Sequence, residues 1–143
     1  MSIEASFLTH PYDYNASLEK YSRYFKHFSR DDWNKDSCGG YFNFNGGGFE
    51  RVLFFIYYDD GFSLRYDCSN TSDDVESCWY SVYDKDKMNT IVDADTEQFI
   101  PLGSCLPPDI ALAVIEDFFK DPQNRSSKVE WVNADDLDWS SVY

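Results

Sequence analysis
Through the middle of the chain large apolar residues alternate with polar ones, and near both ends they recur at helical spacing. An N-terminal strand is expected near Ile3–Leu8. A helix follows over Ala16–Ser29, because Leu18, Tyr21, Phe25 and Phe28 fall on one face while Glu19, Lys20, Arg23 and Lys26 fall on the other. Asn15 or Ser17 is placed to cap its start. The polar run Arg30–Gly40 reads as turns.

A meander of strands comes next. Tyr41–Phe44 alternates and is broken by Gly46-Gly47-Gly48, a flexible turn. Phe49–Tyr58 is apolar on both faces, which predicts a central strand. Asp59-Asp60-Gly61 signals a hairpin, with Asp-Gly supplying the positive φ angles of a tight turn. Phe62–Tyr66 returns, a polar loop covers Cys68–Ser77, and Trp79–Tyr83 and Thr90–Val92 are further strands separated by a turn at Lys85–Lys87. Connections this short imply antiparallel order. After Phe99–Leu102, a helix is predicted over Pro108–Lys120: proline suits the first turn, Asp109 and Lys120 complement the helix dipole, and Asp121-Pro122 ends it. Val129–Val132 is a last strand, followed by an acidic tail over 133–143. The prediction is one α+β domain over 1–143: an antiparallel meander with an N-terminal and a C-terminal helix packed on one face.

Charge alters this picture most. Twelve Lys and Arg stand against 26 Asp and Glu, a formal charge of −14. Such a field repels phosphate backbones and anionic lipid, so neither nucleic acid nor a membrane is expected as a direct partner. It draws in a basic protein instead. Aromatics make up 19% of the residues, which supplies both core and rigid contact area. The start Met1-Ser2-Ile3-Glu4-Ala5 carries no basic leader pattern and no apolar run reaches membrane-span length, so the expectation is a cytoplasmic protein whose four scattered cysteines stay reduced. Spacing alone leaves a Cys68–Cys78 bridge open.

Catalytic chemistry finds little support. His10 and His27 are the only histidines, and neither adjoins a nucleophile elbow. The acidic runs from Asp84 and from Asp93 fail as calcium loops, since Asn89 and Gln98 stand at the glycine position. No zinc spacing and no phosphate loop is present. The expectation is therefore no enzyme, no metal and no cofactor. Acidic residues at turns become candidates for a protein interface: Asp59, Asp60, Asp84, Asp86, Asp93, Asp95, Asp135, Asp136 and Asp138, with Trp139 as an aromatic anchor among them.

The C-terminal third resembles the bacterial immunity protein family usually called Imm1. The resemblance lies in Phe99-Ile100-Pro101-Leu102, in Leu106-Pro107-Pro108-Asp109-Ile110-Ala111-Leu112, in Ile115-Glu116-Asp117-Phe118-Phe119 and in Val129-Glu130-Trp131. The hairpin of Val52–Tyr58 and Phe62–Tyr66 extends it, so that it covers about residues 40–132, without the tail or the triple glycine. It implies an inhibitor that binds a cognate antibacterial toxin inside the producing cell. Acidity then acquires a mechanism, because a toxin acting on nucleic acid presents a basic groove that an acidic protein can occlude. Two other readings stay open: an acidic adaptor or chaperone-like module, and a small hydrolase, which would need a concave pocket with convergent pKa-shifted groups.

Overall fold
Alternation settles which residues of each strand meet the helices. In the computed structural model, which describes residues 2–33, 38–70, 75–95 and 97–143, strands β1 (Ile3–Phe7), β2 (Gly39–Asn45), β3 (Phe49–Tyr58), β4 (Gly61–Asn70) and β5 (Val75–Val82) form an antiparallel meander. A late strand, β9 (Glu130–Asn133), extends the sheet beyond β5, and the two-residue β8 (Cys105–Leu106) pairs with the start of β4. Strands β6 (Ile91–Asp93) and β7 (Phe99–Pro101) make a separate hairpin. The outer edge of β1 is covered by the chain at Asp13–Ala16: Ala5 and Asp13 exchange backbone hydrogen bonds at 2.8 and 2.9 Å, and the Ala16 N–H donates to the Ile3 carbonyl at 2.7 Å. The protein is thus α+β, with an antiparallel sheet and few, short helices. Among the described residues no helix is long and apolar enough to cross a membrane.

One sheet face carries Phe7, Phe42, Leu53, Phe55, Phe62, Leu64 and Tyr66, all buried. They pack against helix α4 (Pro108–Lys120) through Ala111, Val114, Ile115 and Phe118, and against three four-residue helical turns, α1 (Leu18–Tyr21), α2 (Arg23–Lys26) and α3 (Arg30–Trp33). Phe7 sits at the centre, with ring centroids of Tyr21 at 4.7 Å, Tyr24 at 4.9 Å, Phe55 at 5.2 Å and Trp33 at 5.6 Å. Rings at these separations and tilts bind beyond their area burial.

Four expectations need correction. The single helix over Ala16–Ser29 is two short turns meeting at Ser22; Ser17 stands at the first N-cap without a side-chain cap bond. Helices this short have little stability of their own, and here Tyr21 and Tyr24 both turn onto Phe7. Part of the polar run Arg30–Gly40 is helical, because Trp33 is drawn into the core at 1% exposure; residues 34–37 lie outside the described set. The expected loop Cys68–Ser77 is mostly strand on either side of 71–74, which also lie outside that set. Finally, the positive φ angles of the β3–β4 hairpin fall on Asp59 (48°) and Asp60 (64°), while Gly61 is the first residue of β4. Glycine is useful at 61 for a different reason: a Cβ there would lie 3.1 Å from the Leu106 carbonyl oxygen of β8.

Candidate functional site
The face of the sheet away from the helices carries a row assembled by strand register. Ser6 pairs with Tyr41, Tyr41 with Phe54, Phe54 with Arg65, Arg65 with Tyr80 and Tyr80 with Val132, so one line crosses all six strands of the main path. Residues directly opposite each other project to the same face. Side chains make the row nearly continuous. The Tyr14 and Tyr12 rings are 4.8 Å apart, Tyr12 and Tyr41 6.5 Å, and Tyr41 and Phe54 5.4 Å. The Arg65 guanidinium lies 4.4 Å above Phe54. Beyond it Tyr80 meets Trp139 at 5.8 Å, Trp139 meets Tyr143 at 6.1 Å, and Tyr143 meets Phe99 at 6.0 Å.

Over β3, β4 and β5 this row forms the floor of a groove of about 510 Å³. Phe54, Ile56, Ser63, Arg65 and Tyr80 line its base, Glu97–Ile100 one wall, and Trp139 with Tyr143 the other. Each wall is fixed from below. Buried serines anchor the segment after β7: Ser63 Oγ and Ser104 Oγ are 2.6 Å apart, Ser104 Oγ donates to the Pro101 carbonyl at 2.6 Å, and Ser81 Oγ donates to the Ser104 carbonyl at 2.8 Å. The N–H groups of Tyr83 and Asp84 both donate to the Gly103 carbonyl, at 2.9 and 3.0 Å. The opposite wall is held by Trp139 Nε1–H donating to the Ala134 carbonyl at 2.8 Å and by the Asp138 N–H donating to Asn89 Oδ1 at 2.9 Å.

Arg65 is the cation in this floor. Its Nε and Nη2 donate to the two carboxylate oxygens of Asp67 at 2.9 and 3.1 Å. Burial works against its charge, but Asp67 outweighs that and holds the guanidinium above its ordinary pKa. Burial likewise pushes the Tyr80 phenol up. The pair leaves Arg65 neutralised, so the floor made by Phe54, Ile56, Ser63, Arg65 and Tyr80 carries no net charge.

The structure distributes the predicted carboxylates widely. Asp59 and Asp95 line one depression with Trp33, Cys38 and Tyr57, at the end of the sheet where the β6–β7 hairpin reaches across. Asp60 is engaged locally: Arg30 donates to it at 2.7 and 2.5 Å and Tyr57 at 2.8 Å, and Arg30 holds its carboxyl below the usual range. Asp84 accepts from the Asp86 N–H at 3.1 Å, Asp93 accepts from the Glu97 N–H at 3.1 and 3.2 Å, and Asp138 accepts from both Ser140 donors at 3.0 and 2.6 Å. Asp86, Asp135 and Asp136 are exposed. Of the predicted set, then, Asp59 and Asp95 share a depression and Trp139 is in the groove.

Other members of the site were not foreseen. Tyr12, Tyr41, Phe54, Arg65 and Tyr80 supply the row, and Glu97 a wall of the groove. Glu50, Asp67 and Glu76 line a second depression with Cys78, on the face of the row and toward the opposite end of the strands, where Glu50, Ser69 and Glu76 are in register. The available signal was the alternate position in each strand, left polar or aromatic while its neighbours are core. The histidines lie elsewhere: His10 packs on Phe7 and lies 3.1 Å from the Tyr24 hydroxyl, and His27 ends α2. Among the described residues no three His, Cys, Asp or Glu side chains are placed to hold one metal ion. Comparison with known proteins finds no matching family model, no matching curated protein and no matching solved structure.

Proposed function
We propose that this protein is an immunity-type inhibitor, which binds a cognate toxin domain with a basic, nucleic-acid-handling groove and occludes it. The observation that carries this reading is the aromatic row across the open sheet face, with a carboxylate-lined depression to either side of it along the strands. Rigid rings at the centre with charge at the rim is the composition of an interaction hot spot. A charge of −14 then serves association, because steering toward a basic partner raises on-rates to about 10⁸–10⁹ M⁻¹s⁻¹ at low salt. Occlusion needs no catalytic residue: the inhibitor takes the place of phosphates in the partner's groove. That the partner is an antibacterial toxin rests on the resemblance of residues 40–132 to the immunity family.

Co-expression with the toxin domain encoded beside this chain tests the reading. A stable complex is expected that protects cells, weakens with rising salt, and loses about thirtyfold or more in affinity on Tyr41→Ala or Trp139→Ala. A complex without protection would favour the acidic adaptor, which would use the same face on a different partner. Absence of both complex and protection removes the inhibitor.

A further inference from the structure
Glu97 holds a backbone conformation that side-chain-bearing residues seldom adopt, with φ of 68°. The conformation is fixed by its own N–H, which donates to both oxygens of Asp93. It sets Glu97 on the groove wall beside Gln98 and Phe99, exposed and, among the described residues, without a hydrogen-bond or ion-pair partner for its carboxylate. The other wall is made by the rings of Trp139 and Tyr143. Among the described residues lining the groove, Arg65 is the one cation, and Asp67 and the Phe54 ring already satisfy it.

What remains is one uncompensated carboxylate lining the same groove as aromatic rings, which is the chemistry that recognises a cation. Groove volume falls within the range of sites that enclose a ligand group. The cation favoured is a guanidinium. It is planar, it stacks on rings as well as pairing with carboxylates, and it loses its hydration more readily than an ammonium. Among the described residues four arginines lie over rings, Arg125 on Trp79 at 3.9 Å, Arg23 on Tyr24 at 4.1 Å, Arg65 on Phe54 at 4.4 Å and Arg51 on Phe49 at 4.9 Å, and Arg65 is also paired with a carboxylate.

We infer that the open-face groove seats an arginine side chain of a basic polypeptide partner, stacked against Trp139 and Tyr143 and paired with Glu97. The inference rests on the reading that the partner is basic, and it names the residue that anchors it.

The test uses the full chain, ¹⁵N-labelled, titrated with hexaarginine, hexalysine and hexaglutamate peptides while the four indole N–H signals are followed. The Trp139 signal should move and saturate with hexaarginine, about fivefold more tightly than with hexalysine, and stay still with hexaglutamate. Glu97→Gln should weaken hexaarginine about fivefold, whereas Asp86→Asn, a carboxylate removed outside the groove, should change it less than twofold. Equal affinity for the two basic peptides, or equal effects of the two substitutions, would mean diffuse attraction and overturn the seat. Protection of cells from the toxin is scored separately. Groove binding of hexaarginine without any protection keeps the seat and removes the inhibitor reading. Full protection by Glu97→Gln and Trp139→Ala variants removes the seat and leaves the inhibitor reading standing.

Discussion
Arg65 and Asp67 stand two residues apart on β4, hence on the same face, and are joined by two hydrogen bonds of 2.9 and 3.1 Å. The arginine reaches along its own strand for the carboxylate while its guanidinium covers Phe54 of the neighbouring strand at 4.4 Å. A single side chain thus does two things for the open face. It fills the floor between the aromatic rings, and by taking up Asp67 it keeps that floor electrically neutral.

The two tasks predict unequal costs. Both members of the pair are partly exposed, 35% for Arg65 and 24% for Asp67, so solvent screens their attraction. A double-mutant cycle with Arg65→Ala and Asp67→Ala, read by urea unfolding, should give a coupling of about 0.5–1 kcal/mol that shrinks in high salt. Arg65→Ala alone should cost more than Asp67→Ala alone, since it also strips the cover from Phe54. No coupling at any salt concentration would show that the pair contributes nothing to stability.

Much of the frame is legible without coordinates. The helix Pro108–Lys120 has the boundaries its proline, its apolar stripe and Asp121-Pro122 dictate, and the long strand Phe49–Tyr58 is central as its two apolar faces require. Periodicity over Ala16–Ser29 reports which residues share a face, not whether one axis carries them; Phe7, on β1 and outside that stripe, packs on both Tyr21 and Tyr24, which belong to separate turns. The site was hardest to see. Tyr41, Phe54, Arg65 and Tyr80 come from four strands, and only the register aligns them. Turn carboxylates such as Asp60, Asp93 and Asp138 looked available from the sequence, but short polar side chains at turns tend to bond the backbone or a neighbour close by, as these do.

Register also decides the cysteines. Cys78 pairs with Asp67 and Ser77 with Cys68, so Cys68 and Cys78 are offset by one residue and project to opposite faces of the sheet. Disulfide geometry needs Cβ vectors that point at each other, which this arrangement denies. All four thiols are free. Burial pushes those of Cys38, Cys78 and Cys105 up to about 11, which removes the reactive thiolate at neutral pH. A thiol titration at pH 7.5 should therefore find these three slow in the native protein and all four cysteines reactive in denaturant, with no change in mobility on reduction. A Cys68–Cys78 linked peptide recovered from freshly purified native protein would refute this register.

Asp13 connects the edge of the sheet to the first helical turn. Its backbone pairs with Ala5 of β1, and its carboxylate accepts from the Tyr21 hydroxyl at 2.6 Å, from Lys20 at 3.1 Å and from the Asn15 N–H at 3.1 Å. The Tyr21 hydrogen bond, aided by Lys20 and the Asn15 N–H, holds the carboxyl below its ordinary value of 3.8. A carboxyl lowered in the folded state binds its proton more readily when unfolded. Its contribution to stability is thus complete above the unfolded value and is lost as pH falls through the lower, folded one. Because acidification also relieves repulsion among the other carboxylates, the comparison must be with a variant. Asp13→Asn should cost about 1–2 kcal/mol at pH 7, since it replaces hydrogen bonds to a charged acceptor. Melting temperatures of the two proteins should then converge as pH is lowered below about 4, with most of the gap closed near the folded value. A gap that stays constant down to pH 2 would mean that the charge of Asp13 contributes nothing, and that the backbone hydrogen bonds to Ala5 and Ile3 hold this edge.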